Sequence, residues 1–477
     1  MKTVPRQQVV ERIRTENPWW VPPHGIDPSE ARLHPRAYLD GLRTLIVESQ
    51  VRRAVLLMGP RRVGKTVLLH HVVQRMLASG IPPDRICMMS VDHPLYNALG
   101  LSDLLDAYRE AAALDSLDGA FVLFDEIQYL PDWERHLKAL VDEHGKTRFV
   151  ASGSAAAALR LKSLESGAGR FTDFLLPPLN FHEYLTLLGQ DHVVGWRAET
   201  QTASCDDMGV VNAHFVNYLN YGGYPEVALS ADIQADPIRF LKADIIDKVL
   251  LRDLPSLYGI QDIQELNSLF TALAFNTAGE VSLEALASRS GVAKNTLKRY
   301  VEYLEAAFLV KVVHRVDRSA KRFQRATAFK VYLTNPSMRA ALFAPVGPDD
   351  EVVGDLAETA VFAHWFHEAS ALHYARWDRN EVDLVYLDAR QQPLWALEAK
   401  WSDRFASRPE DLAGLLAFCR ANRLEQATVT TRSARATRNV RGVTLNFIPT
   451  AIYCYAAGRS RVERPEWSGR APLFTLS

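Results

Sequence analysis

The chain has 477 residues, 48% hydrophobic and 23% charged, with a formal net charge of −1. That length exceeds what one hydrophobic core usually supports, so several domains are expected, and the near-neutral charge excludes a globally basic or acidic partner surface. Four scattered cysteines, Cys87, Cys205, Cys419 and Cys454, exclude a disulfide framework or a cysteine zinc site, and no apolar stretch reaches the roughly eighteen residues of a membrane helix, so a cytoplasmic protein with no membrane partner is expected.

Residues 1–34 are rich in proline and aromatics around Asn17-Pro18-Trp19-Trp20-Val21-Pro22-Pro23 and read as a lead-in that packs on the neighbouring domain. A helix-like stretch from Pro35 to Val51 then leads into the apolar run Ala54-Val55-Leu56-Leu57-Met58, a strand. Directly after it stands Gly59-Pro60-Arg61-Arg62-Val63-Gly64-Lys65-Thr66, spaced as G-x-x-x-x-G-K-[ST], and then the helix-like Val67 to Val73. Glycines there let backbone N–H groups turn toward phosphate, and the helix N-terminus adds partial positive charge. Lys65 reaches the β- and γ-phosphates, and the Thr66 hydroxyl ligates Mg²⁺. ATP and Mg²⁺ are the expected ligands of Gly59 through Thr66.

Ile86 to Asp92 reads as a second strand, and Leu104 to Ala113 as an amphipathic helix. The run Ala120-Phe121-Val122-Leu123-Phe124 then ends in Asp125-Glu126, a buried strand that delivers paired carboxylates where a Walker B motif sits. Asp125 would hold Mg²⁺ through water, and Glu126 would orient and deprotonate the attacking water. A phosphotransferase has no use for that base, so Glu126 favours hydrolysis. Arg148 to Ser154 is a further strand, and Ser152 near its end presents a hydroxyl between the phosphate-site strands, either as a γ-phosphate sensor or as part of a plain Ser-Gly turn. Strands alternating with helices imply an α/β fold, a parallel-sheet P-loop ATPase core over 35–190.

Residues 191–270 read as a helical lid: a polar loop over Asp191 to Asp207, then helices over His214 to Asn220 and Pro237 to Arg252, with Gly222-Gly223-Tyr224-Pro225 as a tight turn. Residues 271–345 read as a winged helix. Ser282 caps a helix carrying Leu283, Leu286 and Ala287, Gly291 breaks it, and Leu297, Val301, Leu304 and Phe308 stripe a second helix. Leu309 to Val313 and Ala328 to Leu333 form the wing, with Arg315, Arg318, Lys321, Arg322 and Arg325 between them. Lys294, Asn295, Lys298 and Arg299 lie opposite the core stripe and suit nucleic acid, DNA favoured; a protein-packing role is the alternative.

In 346–477, Glu381 to Leu387 and Leu394 to Lys400 flank the turn Asp388 to Pro393. If the turn centres between Arg390 and Gln391, Asp383 falls opposite Glu398, on one face with Lys400, while Val382, Leu384 and Tyr386 join Leu397 and Ala399 on the other. Opposed carboxylates are unfavourable unless something neutralises them, and a divalent cation would. Asp383 and Glu398 are then Mg²⁺ ligands, and Lys400 steers a water or stabilises a phosphate in the transition state. His364 and His367 have no third ligand and read as surface or packed histidines.

Taken together, Gly59 to Thr66, Phe124-Asp125-Glu126-Ile127-Gln128, Ser152-Gly153-Ser154, Gly169-Arg170, Pro178-Leu179-Asn180-Phe181-His182-Glu183-Tyr184 and Gly222-Gly223-Tyr224-Pro225-Glu226 resemble the prokaryotic AAA+-type ATPases related to the archaeal ATPase group. The resemblance covers nearly the whole chain. It implies a winged helix and a C-terminal restriction-endonuclease-like domain, whose D…E-x-K pattern is matched by Asp383, Glu398 and Lys400. It further implies that Glu358 is an extra acidic metal ligand. Arg170 would be a finger acting in trans on a neighbour's ATP, in a homo-oligomer formed in ATP; a surface arginine is the alternative. The leading expectation is ATP-gated action on nucleic acid, with Mg²⁺-dependent cleavage; the rival is an ATP-driven conformational switch whose C-terminal domain only binds a partner.

Overall fold

The computed structural model describes residues 5–96, 99–153, 169–321 and 328–463. The chain divides into two compact units, Met1–Pro177 and Pro178–Ser477, so the first closes before the boundary expected at 190.

In the first unit, β1 (Ala54–Met58), β2 (Ile86–Ser90), β3 (Phe121–Asp125), β4 (Arg148–Gly153) and β5 (Phe171–Leu175) form one five-stranded sheet in the order β2-β3-β4-β1-β5. Every pairing is parallel. β1 is buried along its whole length, as a central parallel strand covered on both faces must be, which is why it reads as an unbroken apolar run. Helix α1 (Lys65–Ala78) comes after β1 and the glycine-rich turn. The lead-in closes the free edge of β2: the Trp19 and Trp20 indole N–H groups donate to Ile86 O at 2.9 and 2.8 Å. Asn17 accepts from Met88 N–H at 2.7 Å and donates to Met88 O at 2.9 Å, as a neighbouring strand would.

In the second unit, a small antiparallel pair, β6 (Gly195–Arg197) and β7 (Thr202–Ser204), occupies the stretch expected to be a loop. The helix Met208–Tyr221 comes next, and the region expected as an α-helix from Pro237 is wound as π-helix over Ile238–Asp247 and Val249–Asp253. β8 (Glu280–Ser282) leads into α2 (Leu283–Ser290), whose N-cap Ser282 accepts from Ala285 N–H. Gly291 stops it at φ +73°, a left-handed conformation that suits glycine, and α3 (Lys294–Ala306) begins.

Strands β9 (Val310–Val316) and β10 (Ala328–Leu333) pair antiparallel, and β10 pairs β8. After α4 (Val353–Ala363) come β11 (Leu372–Trp377), β12 (Asn380–Leu387) and β13 (Pro393–Glu398). The chain continues through α5 (Ala413–Ala421), β14 (Gln426–Thr431), β15 (Ala436–Val440), β16 (Val443–Pro449) and α6 (Thr450–Glu463). All these strands from β8 onward belong to one nine-stranded sheet, β15-β16-β14-β13-β12-β11-β9-β10-β8, joined across the boundary expected at 345 by the parallel pairing of β11 with β9. Residues of α4 and α6 form one apolar cluster with Tyr332, Leu384 and Leu397, and residues of α5 form another with Val385, Ala396 and Leu445. Among the described residues no helix is long and apolar enough to cross a membrane.

Candidate functional site

The sheet order puts β4 between β1 and β3, so the C-terminal ends of these strands converge. Arg62 (φ 63°) and Gly64 (φ 90°) turn the loop after β1 through left-handed backbone. Gly59 must lack a Cβ, which would lie 2.2 Å from Leu176 O. Lys65 opens α1 and is buried; its Nζ donates to Gly59 O at 3.1 Å and Pro60 O at 2.8 Å. Burial lowers its pKa, and Glu126 and Asp125 oppose that shift.

Asp125, the last residue of β3 and 2% exposed, gathers the site. Thr66 Oγ1 donates to its Oδ2 at 2.7 Å, and Ser152 Oγ donates to its Oδ1. Burial and the Glu126 charge push the Asp125 carboxyl up, while the Ser152 and Thr66 hydroxyls pull it down. Ser152 also accepts from Glu126 N–H at 3.2 Å. Glu126 is left-handed (φ 55°), a conformation a non-glycine residue keeps only where its surroundings fix it, and its carboxylate accepts from Gln128 Nε2. A hydroxyl, a carboxylate, a buried ammonium aimed at loop carbonyls and an N–H-lined turn at a helix N-terminus are hard-oxygen and cation chemistry that fits Mg²⁺ and a polyphosphate.

Arg170 is not brought to this group. It pairs with Asp142 at the surface, and its carbonyl accepts from Ala54 N–H at 2.9 Å, at the opposite end of β1 from the loop. That separation is about 15 Å at strand rise. Ser154 lies outside the described residues.

The C-terminal group assembles differently from expectation in one respect and as expected in another. Next to the site the β12–β13 ladder runs Leu384↔Leu397, Val385↔Ala396 and Tyr386↔Trp395, so Asp383 and Glu398 are the next opposed positions. A bulge at Tyr386/Leu387 pairs Leu387 with Pro393, so the turn centres on Arg390 and the register is recovered only through the bulge. A second irregularity, against β11, sets Asp383 and Leu384 opposite Tyr374 alone, between His373↔Val385 and Ala375↔Val382. Val382 therefore packs with the α5 cluster and not with Leu384 as expected, since a bulge re-aims side chains beside it.

Lys400 Nζ lies 2.8 Å from Glu398 Oε1 and 3.3 Å from Asp383 Oδ2, and Ala399 N–H donates to Asp383 Oδ2 at 2.9 Å. Glu358, on α4, meets residues the sequence did not single out: its Oε1 accepts from Tyr332 Oη at 2.6 Å and Lys330 Nζ at 2.8 Å. Lys330, on β10, also lies 2.6 Å from Glu381 and 3.4 Å from Asp383 Oδ1. A lysine inside the otherwise apolar strand Ala328–Leu333 was the signal available. Burial, then the neighbouring Asp383 charge, push Glu358 up to about 7 and Glu398 up to about 8. Burial works against ionised Asp383, but Lys400 and Lys330 outweigh it and hold its carboxyl below the usual range. As they stand, Glu358, Asp383 and Glu398 do not fit the divalent cation expected of them. Among the described residues no group of three or more His, Cys, Asp or Glu is placed to hold a metal ion.

On α3, Lys294, Asn295, Lys298 and Arg299 are exposed, as the stripe required; Lys294 pairs with Glu284 of α2. Arg315 donates to Arg376 O at 3.0 Å, while Arg322 and Arg325 lie outside the described residues. His364 is buried, its Nε2 accepting from Phe181 N–H at 2.9 Å, whereas His367 is exposed, so they form no ligand pair.

Residues 51–185 match the AAA domain family, and residues 212–349 match a domain of unknown function, DUF8612. With the parallel sheet and the phosphate-loop geometry, this defines a P-loop α/β fold, similar over residues 51–185 to AAA domains. An uncharacterized protein of Haemophilus influenzae is 23% identical over 332 residues, covering 69% of this chain and 78% of that one. An uncharacterized protein of Methanocaldococcus jannaschii is 27% identical over 331 residues, covering 66% and 68%. Among solved structures, the S. cerevisiae Hsp104–ADP complex is 17% identical, with TM-score 0.31, covering 58% of this chain; the chain spans only 39% of that one. The Aeropyrum pernix Orc1 protein in complex with DNA is 12% identical, with TM-score 0.28, covering 74% of this chain and 98% of that one.

Proposed function

We propose that the protein is a cytoplasmic AAA+-type ATPase that acts on nucleic acid, DNA favoured, and assembles as a homo-oligomer in ATP. The observation that carries the ATPase reading is the convergence of Thr66 and Ser152 on Asp125, with Glu126 beside it and Lys65 buried in the loop. Lys65 and the loop N–H groups bind the phosphates, and Thr66 and Asp125 hold Mg²⁺, which when bound supplies charge neutralisation of the phosphates. Ser152 keeps Asp125 and the Glu126 backbone in place. The Glu126 carboxylate, held by Gln128, takes a proton from the attacking water. Arg170, remote from its own chain's loop, serves a neighbouring copy.

Residues 271–345 act as a winged helix whose α3 face takes the duplex, and 346–477 as a restriction-endonuclease-like domain. A second reading is favoured by the lysine-closed carboxylates: a conformational switch whose C-terminal domain binds a partner and does not cleave. Lys65→Ala should lose ATP binding, whereas Glu126→Gln should bind ATP and turn over at least ~10²-fold more slowly, the usual contribution of a positioned base. Full turnover by Glu126→Gln would remove the assignment. Incubation of the wild-type protein with linear, circular and single-stranded nucleic acid in Mg²⁺ or Mn²⁺, with and without ATP, decides between cleavage and the switch.

A further inference from the structure

The misfit at the C-terminal carboxylates has a definite cause. Lys330 is 3% exposed in its side chain, and its ammonium reaches Glu358, Glu381 and Asp383 at once. A lysine is normally left in water, and one this deep must be held by the anions around it. It comes from β10, the hairpin strand next to α2 and α3, and not from the elements that carry the carboxylates, α4, β12 and β13. The cluster is not saturated: Glu398 Oε2 is buried with no hydrogen-bond partner among the described residues.

We infer that Lys330 is a built-in cation, lent by the β9–β10 hairpin, that fills the divalent-ion position between Glu358 and Asp383, beside the Lys400-paired Glu398, so that this site admits a metal ion only when the Lys330 charge is withdrawn. The chemistry is exchange of one hard cation for another among the same oxygens, with no covalent step. Because β10 shares its hairpin and sheet with the α2–α3 module, a ligand that shifts that module shifts the competing charge. The inference holds whether or not the domain cleaves, and it is read by ion binding instead of turnover.

The test measures Mn²⁺ binding by titration calorimetry and Mn²⁺-dependent melting. It uses the nucleotide-free full chain in a Lys65→Ala, Asp125→Ala background that silences the phosphate loop. The reference protein should show no Asp383-dependent Mn²⁺ site at micromolar to low millimolar ion. Lys330→Met should bind one Mn²⁺ at least tenfold more tightly and melt higher as Mn²⁺ is added, since an ion bound only by the folded state stabilises it. Adding Asp383→Asn should abolish both effects. Glu381→Gln loosens Lys330 from a partly exposed position without removing a cluster oxygen, and should raise Mn²⁺ affinity severalfold; it decides the matter if Lys330→Met does not fold. Equal Mn²⁺ affinity in the reference protein and in the folded variants, whether tight or absent, overturns the inference.

Discussion

Ser152→Ala separates a hydroxyl that touches phosphate from one that orders the site. Ser152 is fully buried and bridges two groups, the Asp125 carboxylate and the Glu126 N–H. A hydrogen bond to a charged partner contributes about 1.5–3 kcal/mol, and the substitution removes a second hydrogen bond, to Glu126 N–H, as well, so the upper part of that range, about 2–3 kcal/mol, is expected. For a unit of this size each kcal/mol shifts the midpoint by about 2–4 °C, so differential scanning calorimetry should show the nucleotide-free melting of the N-terminal unit fall by roughly 4–12 °C. Asp125 would serve Mg²⁺ under either nucleotide, so Mg²⁺-ATP and Mg²⁺-ADP affinities should weaken together, by about tenfold if 1.4 kcal/mol of the loss appears in binding. Two results would refute this reasoning: an unchanged melting temperature, or weakened ATP with ADP untouched, which would return the hydroxyl to the γ-phosphate.

Arg170→Ala should keep ATP affinity but lose hydrolysis by ~10³-fold or more, the usual contribution of such a finger, and mixing it with Glu126→Gln should restore part of the rate in steady-state ATPase assays; no restoration, in a protein that stays monomeric in ATP by light scattering, removes the finger. A Lys298→Glu, Arg299→Glu double variant should weaken duplex DNA binding and flatten the log-affinity against log-salt slope by about 0.9 for each phosphate it ceases to neutralise, and unchanged affinity would make α3 a packing surface. Burial lowers His364 from 6.5 to about 4, with Arg461 acting in the same sense and its hydrogen bond to Ala360 O and Glu183 against. Its folded value lies below its unfolded one, so its contribution is complete above about pH 6.5 and is lost as pH falls from there toward 4, roughly 2 kcal/mol of it by pH 5. Melting curves of His364→Gln should therefore be less sensitive to pH between 7.5 and 5 than those of the wild type, and parallel curves would contradict the assignment.

The grouping of the glycine-rich loop with Asp125 was legible because its pieces are local: Gly59 to Thr66 sit in one turn, and Asp125-Glu126 end one apolar strand. The facing of Asp383 and Glu398 was also legible, because a short turn ties β12 to β13 and residues on a strand alternate, although the bulge at Leu387 moved the turn itself. Lys330 was not legible as part of that group. Its place depends on the parallel pairing of β9 with β11, residues far apart in sequence, which no periodicity announces. The same holds for Val382, whose side depends on an irregularity against β11, and for the π-wound stretch after Pro237, whose apolar spacing also suits an α-helix. The remoteness of Arg170 from Lys65 needed the strand direction, which the motif spacing does not carry.

The side chains that meet β2 at Ile86 and Met88 amount to a stopper on the parallel sheet of the first unit. A fragment begun at Pro35 would keep every phosphate-site residue and still be a poor reagent, because the bare strand it uncovers is a template for a second chain. Crystallisation or binding work on the isolated first unit should therefore start at its N-terminal helix, Arg6–Glu16, and protease trimming ahead of Pro28 should show itself first as turbidity, before any change in nucleotide affinity.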